Sequence, residues 1–291
     1  MGTIAPPWTS GLTQAQHDLI LFGLVAAGLG LLATLVRVRF TSQESHGTFR
    51  VASLTANAVV AIAFVSYVSL VIAFALGYTP TGDGYRPNDV ARFAWALRYM
   101  DWVITVPLLV IEVVAVSSLT ERVSTRSNRV GIVCAVGMIV SGFLGAFVVA
   151  DGTDRTAYTL LGVVGALFFA ALYGIFLLAA ARTLPRLPPA AATSYRAAIV
   201  VLLSTWLLYP IVYGLAGAVA GGTAAVIGQL VLCAADMIAK IGFGTLVHRT
   251  AVLRSRNEED LDPSRERRPR APINDSVYVS DSRSLEFGSG E

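Results

Sequence analysis

The sequence predicts an all-α fold, a bundle of seven transmembrane helices. Hydrophobic residues make up 55% of the 291 residues and charged residues only 14%, and the mean hydropathy is +0.64. Soluble domains carry about 25% charged residues, so this composition argues against a soluble globular protein and excludes a disordered chain. Seven apolar segments, each near the ~20 residues that cross a bilayer core, follow one another through short connectors.

The predicted spans are runs of Leu, Val, Ile, Ala and Phe with few charges, and Gly- or Pro-rich connectors separate several of them. In chain order they are residues 19–36, 52–76, 93–116, 130–149, 157–180, 197–219 and 224–247. Residues 1–17 form the predicted extracellular segment and residues 18–250 the seven-helix domain. Residues 251–291 are charged and poor in apolar side chains, which predicts a disordered cytoplasmic tail.

The arginines predict the orientation of the bundle. Of the 22 basic residues, Lys240 is the single lysine and all others are arginine. The first, third and fifth connectors hold three arginines each, whereas the second holds two, the fourth one and the sixth none. Because cytoplasmic loops carry an excess of basic residues, the N-terminus is predicted outside and the C-terminus in the cytoplasm.

Two further features exclude other classes of protein. The net charge of +3 comes from short connectors and the tail rather than from one basic face, so no nucleic-acid partner is expected. Cys134 and Cys233 lie inside apolar runs, which indicates buried free thiols rather than a metal site or a disulfide.

Five ionisable residues fall inside predicted spans, where charges are costly and mark candidate functional sites. Asp236 and Lys240 are four residues apart and share one helix face. Asp101 and Glu112 are eleven residues, about 16 Å, apart on one stripe of the third span, which also holds Arg98. Structural ion pairing could explain Arg98 with Asp101. It does not explain Glu112, which has no basic residue near its depth, so burial favours the neutral acid.

Lys240 has chemistry of its own at this depth. A desolvated amine tends towards its neutral form and condenses with an aldehyde to a Schiff base. The protonated product needs a counterion, and the carboxylates of Asp101 and Asp236 are available.

These residues resemble the microbial rhodopsins, the retinal-binding seven-helix family. Residues 98–109 read RYMDWVITVPLL, close to the family's RYxDWxxTxPLL pattern, and residues 236–244 read DMIAKIGFG, the DxxxKxGFG pattern. Residues 206–213 read WLLYPIVY, similar to WxxYPxxW/Y, and residues 61–67 read AIAFVSY, which resembles a segment ending in a pocket tyrosine. The resemblance covers most of residues 18–250.

The resemblance implies a light-driven outward proton pump of the cell membrane, not an enzyme. Lys240 would bind all-trans retinal as a protonated Schiff base. Asp101 would be counterion and proton acceptor, Asp236 the second counterion and Glu112 the cytoplasmic proton donor. Asp101, Thr105 and Glu112 together are similar to the set in proteorhodopsin-like pumps, whereas chloride and sodium pumps carry other residues there.

Further residues are implied to organise the site and the pocket. Arg98 would organise water on the outward side, and Thr105 would form a hydrogen bond near Asp101. The implied pocket residues are Tyr67, Trp102, Leu109, Met138, Gly142, Phe169, Trp206, Tyr209, Pro210 and Tyr213. Plain bundle packing is the alternative for the members in spans four and five, which match the family weakly.

Two pocket positions carry finer expectations. At the position of Leu109, green-absorbing proteorhodopsins also carry leucine, so the resemblance implies green absorption. Gly162 resembles the glycine that opens a window for a carotenoid antenna in xanthorhodopsin-like relatives. Close helix packing is the alternative reason for a glycine there.

The chain departs from the family in two places. Proteorhodopsins carry a histidine in span two that pairs with the counterion, whereas His17, His46 and His248 lie elsewhere and are predicted to be solvated. Residues 215–229 contain no acid, so early proton release from a glutamate pair is not expected.

Three alternative functions follow from the same residues. A sensory rhodopsin would use the same fold and pigment, but sensors usually lack a carboxylic donor, so Glu112 favours the pump. A light-gated channel would need a more polar lumen than spans two and three offer. A retinal-free receptor would leave Lys240 without a purpose. Besides protons, the expected partners are the lipid bilayer and a second copy of the chain in a homo-oligomer.

Overall fold

The computed structural model describes residues 2–41 and 50–261, and this part of the chain is almost entirely helical. The helices are α1 (Gln14–Thr41), α2 (Arg50–Gly77), α3 (Phe93–Ala115), α4 (Glu121–Phe143), α5 (Arg155–Thr183), α6 (Pro189–Trp206 and Leu208–Ala218) and α7 (Gly222–Met237, the π-helical turn Ile238–Gly242, and Phe243–Leu261). The predicted seven-helix bundle is therefore confirmed.

The exterior of the bundle is apolar. Six helices of the described residues are long and apolar enough to cross a membrane, and α3 is not among them. Large side chains such as Phe22 and Leu167 point outward with 68% and 67% of their surface exposed. Contiguous apolar surface of this kind is costly in water and suits a lipid environment, in which helices satisfy their own backbone hydrogen bonds.

Helix α3 carries the ionisable residues into the bundle. It packs against α2 and α4, and Arg98, Asp101 and Glu112 are all buried. This face of α3 points into the bundle because its charged side chains would find no partners in lipid, whereas Met100 and Ile104 of the same helix are exposed.

Two of the helices contain a proline, and one of the two is broken beside it. Pro107 lies inside α3, and Pro210 lies one turn after the break in α6 at Leu207. Because proline has no N–H, Pro210 cannot donate to the carbonyl of Trp206, and the helix divides there. The break places Trp206 and Tyr209 at the middle of the bundle.

The connector between α2 and α3 is a β-hairpin, where the sequence indicated only a Gly- and Pro-rich connector. Strand β1 (Tyr78–Thr81) pairs antiparallel with β2 (Gly84–Pro87). Gly84 has φ +144°, a conformation that favours glycine. The hairpin also binds the N-terminal segment, since Leu12 and Tyr85 exchange backbone hydrogen bonds of 3.0 and 2.7 Å.

The prediction that all three histidines are solvated is wrong for His17. Its side chain is buried, with a relative exposure of 7%, and stacks on the ring of Tyr85 at 3.8 Å between ring centroids. The reason is the hairpin, which folds over the start of α1 and was not foreseen. His248 is half-buried, with Nδ1 3.2 Å from Ser53 Oγ, and His46 lies outside the described residues.

Helix α7 extends further than the predicted seventh span. It continues to Leu261, so the first eleven residues of the predicted tail, 251–261, are helical. Glu, Arg and Leu in this stretch are good helix formers, which favours continuation. Residues 262–291, the rest of the predicted tail, lie outside the described residues. Cys134 and Cys233 are both buried and free, as their apolar surroundings predicted.

Candidate functional site

Lys240 lies at the centre of the site, inside the π-helical turn of α7 and with only 3% of its surface exposed. Its Nζ donates hydrogen bonds to Asp101 Oδ2, on α3, and to Asp236 Oδ1, one helical turn earlier on α7, at 3.3 Å. A buried ammonium group needs such carboxylate partners, because an unpaired charge at this depth is strongly destabilising.

The two carboxylates have different surroundings. Asp236 accepts hydrogen bonds of 2.8 to 3.1 Å from donors on α2, α3 and α6, namely Tyr67 Oη, Arg98 Nη1, Trp102 Nε1 and Tyr209 Oη. Asp101 is bonded at Oδ2 by Lys240, and its buried Oδ1 has no hydrogen-bond partner among the described residues. Donors stabilise an ionised carboxylate, so protonation of Asp101 disrupts fewer hydrogen bonds than protonation of Asp236.

Arg98 is held on one side of this pair by a residue that the sequence analysis did not single out. Gln229 Oε1 accepts hydrogen bonds from Arg98 Nε at 3.2 Å and Nη2 at 2.6 Å. Gln229 is fully buried, and its Nε2 donates to the carbonyl of Ala94. Arg98 also donates to Tyr67 Oη and Cys233 Sγ. A lone amide in the apolar first half of α7 was the signal that could have identified Gln229.

Thr105 lies beside Asp101, as expected, but bonds to its backbone. Thr105 Oγ1 donates to the Asp101 carbonyl at 3.0 Å, and the side chain is fully buried. The hydroxyl therefore satisfies a helix carbonyl one turn earlier rather than the carboxylate.

Glu112 stands apart from the other charges. It is fully buried on α3, and neither carboxyl oxygen has a hydrogen-bond partner among the described residues. The helix rise separates it from Asp101 by about 16 Å. A carboxyl group buried without partners is held most favourably as the neutral acid, because nothing there stabilises its charge.

A cavity of about 120 Å³ adjoins Lys240. Ten of the residues predicted for the pocket or its window line it: Trp102, Leu109, Met138, Gly142, Gly162, Phe169, Trp206, Tyr209, Pro210 and Tyr213. Tyr67 does not line it and instead bonds to Asp236. Six further residues line the cavity that were not predicted from the sequence: Tyr99, Val106, Ile139, Gly165, Ala166 and Ala239. Most of these are small or aliphatic residues that nothing distinguishes from ordinary packing in the sequence.

The residues of this cavity fit retinal. The walls are mainly aromatic and aliphatic, as a polyene requires, and a primary amine that can condense with an aldehyde borders the cavity. Glycines make room for the aromatic walls: a Cβ on Gly162 would lie 2.8 Å from Tyr213 Cε1, and one on Gly142 would lie 3.3 Å from Tyr99 Cε1.

Fold and site together define the class of protein. A seven-helix membrane protein with a buried lysine beside an apolar cavity has the architecture of the retinal-binding proteins. The family model described as "Bacteriorhodopsin-like protein" matches residues 14–253. The chain therefore belongs to the bacteriorhodopsin-like family, whose members bind retinal and are light-driven pumps or photoreceptors rather than enzymes. As in these microbial proteins, the chain is a multi-pass protein of the plasma membrane.

Individual relatives agree with this assignment. Bacteriorhodopsin of Halobacterium salinarum is 27% identical over 257 residues, covering 86% of this chain and 91% of the relative. Sensory rhodopsin-2 of Haloarcula vallismortis is also 27% identical, over 250 residues, covering 84% and 90%. The family at this level of identity includes both pumps and sensors.

Solved structures show the same fold. A thermophilic rhodopsin superposes with a TM-score of 0.78 at 25% identity, covering 86% of this chain and 98% of that one. Xanthorhodopsin, a light-driven ion pump with dual chromophore, superposes with a TM-score of 0.74 at 26% identity, covering 85% and 97%.

Proposed function

We propose that this protein is a light-driven outward proton pump that carries all-trans retinal on Lys240 as a protonated Schiff base. The observation that carries the proposal is the arrangement of three groups. The Lys240 nitrogen contacts an under-bonded carboxylate, Asp101, and an isolated buried acid, Glu112, lies about three turns further along the same helix towards the predicted cytoplasm.

Retinal, when bound, would supply the light-absorbing polyene, and light would then change the surroundings of the Lys240 nitrogen to which it is attached. The chain's own residues then direct the proton. Asp101 receives the proton of the Lys240 nitrogen, because it is the nearest carboxylate with an unsatisfied oxygen. Asp236 stays ionised, since its four other donors would each lose a charged acceptor on protonation.

Glu112 supplies the replacement proton. Its apolar burial holds the proton on the acid until the Lys240 nitrogen has lost its own and can accept another. Donor and acceptor lie on opposite sides of one nitrogen, so each cycle moves a proton from the predicted cytoplasmic side outward. A neutral residue in place of Asp101 would remove the acceptor and stop the cycle, whereas a neutral residue in place of Glu112 would slow the return of the proton to the Lys240 nitrogen.

Arg98 and Thr105 support the outward half of the pathway. Arg98 balances the charge of Asp236 through a buried ion pair of 3.1 Å. Thr105 donates a hydrogen bond to the backbone carbonyl of Asp101, which holds the backbone of Asp101 in place and so positions its carboxylate near Lys240. Both are positioning residues in this proposal.

A sensory rhodopsin is the second candidate. It is favoured by the sensory relative, which is as similar in percentage identity as bacteriorhodopsin. Glu112 argues for the pump, because a signalling cycle has no need of rapid proton replacement. A photocycle that lasts seconds, without net proton movement, would favour the sensor.

The carotenoid antenna remains a separate and finer prediction. Gly162 lines the cavity, but the contact with Tyr213 already requires a glycine there, so close packing accounts for the residue equally well. Adding a hydroxylated carotenoid and recording the excitation spectrum distinguishes the two, since energy transfer to retinal occurs only with an antenna.

The pump is tested by illuminating cells that contain the chain and retinal while recording external pH. We expect acidification in the light that a protonophore abolishes. The Lys240→Ala variant serves as the control, because without the amine it should be colourless and give no signal. No light-dependent pH change with a coloured wild-type protein would contradict the proposal.

A further inference from the structure

Lys240 borders a second cavity, distinct from the retinal cavity. Helices α1, α2 and α7 line a cavity of about 110 Å³ between the halves that are predicted to face the cytoplasm. We call this space the cytoplasmic chamber. Its polar and charged wall groups are Thr34, Arg37, Ser53, Lys240, Thr245 and His248.

The chamber differs from the retinal cavity in chemistry. Ser53 Oγ lies 3.2 Å from His248 Nδ1, and Arg37 Nη2 donates to Thr245 Oγ1 at 2.6 Å. The rest of the wall is aliphatic, from Val38, Ala56, Val60 and Ile241, so hydroxyl, imidazole and guanidinium groups stand among aliphatic side chains where the retinal cavity has aromatic ones. A space that is both roomy and lined by several hydrogen-bonding groups meets the two conditions for holding water.

The wall of the chamber excludes Glu112 and has unfilled space at Gly244. None of the described residues that line it belongs to α3, so Glu112 is not part of its wall. Gly244 is a buried part of the wall, and apart from its chain neighbours and its own helix backbone no described atom lies within 4 Å of the position that a Cβ would occupy there. The wall at Gly244 therefore leaves space inside the bundle that a larger side chain could fill.

We propose that the cytoplasmic chamber is a second route by which cytosolic protons reach the Lys240 nitrogen, without passing through Glu112. In this step one N–H bond forms on Lys240 as one O–H bond of an adjacent water breaks, and a cytosolic proton restores that water. Arg37 and His248 are the charged or titratable groups that share the chamber with Lys240. The inference rests on the proposed pump function.

The route is tested by flash photolysis of the full-length, retinal-loaded protein in lipid vesicles. The Glu112→Gln variant should reprotonate the Lys240 nitrogen slowly but measurably, at a rate proportional to proton concentration on the cytoplasmic face. Adding Gly244→Leu should lower that residual rate about tenfold, which corresponds to ~1.4 kcal/mol in the barrier. Adding Gly174→Leu is the matched control, because Gly174 is exposed on α5 and only its own helix backbone and chain neighbours lie within 4 Å of a Cβ there.

Three results would overturn the inference. The first is no residual reprotonation in Glu112→Gln. The second is an unchanged residual rate after Gly244→Leu, and the third is the same slowing with Gly174→Leu. If the Gly244→Leu double variant forms no pigment, Glu112→Gln with Thr245→Val gives the same comparison, since it removes a wall hydroxyl without adding bulk.

Separate measurements distinguish a failure of the chamber route from a failure of the pump proposal. Reprotonation is read from the visible absorption of the pigment, whereas pumping is read from external pH. If the chamber variants slow reprotonation but the wild type moves no net proton, the chamber stands as a proton route and the pump proposal fails. If the wild type pumps and the chamber variants do not change reprotonation, the pump proposal stands and the chamber is not a proton route.

Discussion

Gln229 shows how a single neutral residue can hold a buried charge in place. It accepts two hydrogen bonds from the Arg98 guanidinium and directs that group towards Asp236 and Tyr67. In this position Arg98 is bonded on all of its nitrogens by described residues, which leaves it little freedom to move alone. The lack of acids in residues 215–229 and this fixed arginine both argue against early proton release from a glutamate pair.

Replacing Gln229 with Leu should destabilise the pigment. The change removes the acceptor of two Arg98 hydrogen bonds inside the bundle, and leaving buried donors of a charged group unsatisfied costs about 1–3 kcal/mol or more. Thermal bleaching followed by the visible band should occur at a lower temperature than in the wild type. Bleaching at the wild-type temperature would show that Gln229 does not restrain Arg98.

Leu109 offers a test of the pocket at the scale of one side chain. It is buried on α3 and lines the retinal cavity. The Leu109→Gln variant should absorb at shorter wavelength, because a polar amide then faces the polyene. An unchanged absorption spectrum would indicate that residue 109 does not contact the chromophore.

The residues that the sequence could predict are those with unusual chemistry for their location. Lys240, Asp236 and Asp101 stand out as charges in apolar spans, and the structure brings the three together. Gln229 was missed because a neutral amide gives no comparable signal. Its importance depends on the distance to Arg98 across two helices, which sequence spacing does not contain.

Helices α5 and α6 meet through a contact that only a glycine permits. Gly162 on α5 lies against the ring of Tyr213 on α6, which also stacks on Tyr158 at 4.2 Å between centroids. The ring cannot move freely, because its hydroxyl donates to the Tyr158 carbonyl. The contact fixes one wall of the retinal cavity.

The Gly162→Ala variant should therefore lower the stability of the pigment by about 1–3 kcal/mol through overpacking. Gly174→Ala on the same helix is the matched control, since it meets no described atom within 4 Å and replaces glycine with a better helix former. Thermal bleaching of the two variants provides the comparison. Equal bleaching temperatures would mean that the Tyr213 contact is not restrictive.

Helix positions followed from the sequence more directly than the connections between helices. Hydrophobic runs identified all seven helices because lipid demands apolar exteriors. The hairpin of β1 and β2 is a local pairing across the two-residue turn Gly82–Asp83, which was interpreted only as part of a connector. Its bridge to Leu12 depends on a chain segment 73 residues away, which the sequence does not indicate. His17 was misjudged for the same reason, because the hairpin that covers it is tertiary structure.

The described part of the chain is a bundle with an apolar exterior, and all its buried charged side chains except Glu112 lie around Lys240. Protons are expected to enter from the side of Glu112 and the cytoplasmic chamber and to leave past Arg98. A homo-oligomer would use part of the apolar exterior and stays a prediction. The direction of pumping depends on the orientation that the arginines predict.

A peptide tag placed after residue 291 tests that orientation. Antibody should label the tag only after the cells are permeabilised, because the arginine-rich connectors keep the C-terminus in the cytoplasm. A tag at the N-terminus serves as the control and should be labelled on intact cells. The opposite pattern would reverse the predicted direction of proton transport.

The most direct test of the mechanism is time-resolved infrared spectroscopy of the illuminated pigment. The account predicts that a protonated-carboxyl C=O band rises as the Lys240 nitrogen loses its proton, and that this band shifts in frequency in the Asp101→Glu variant. A band that does not move in Asp101→Glu would show that another group, such as Asp236, takes the proton, and would contradict the assignment of Asp101 as acceptor.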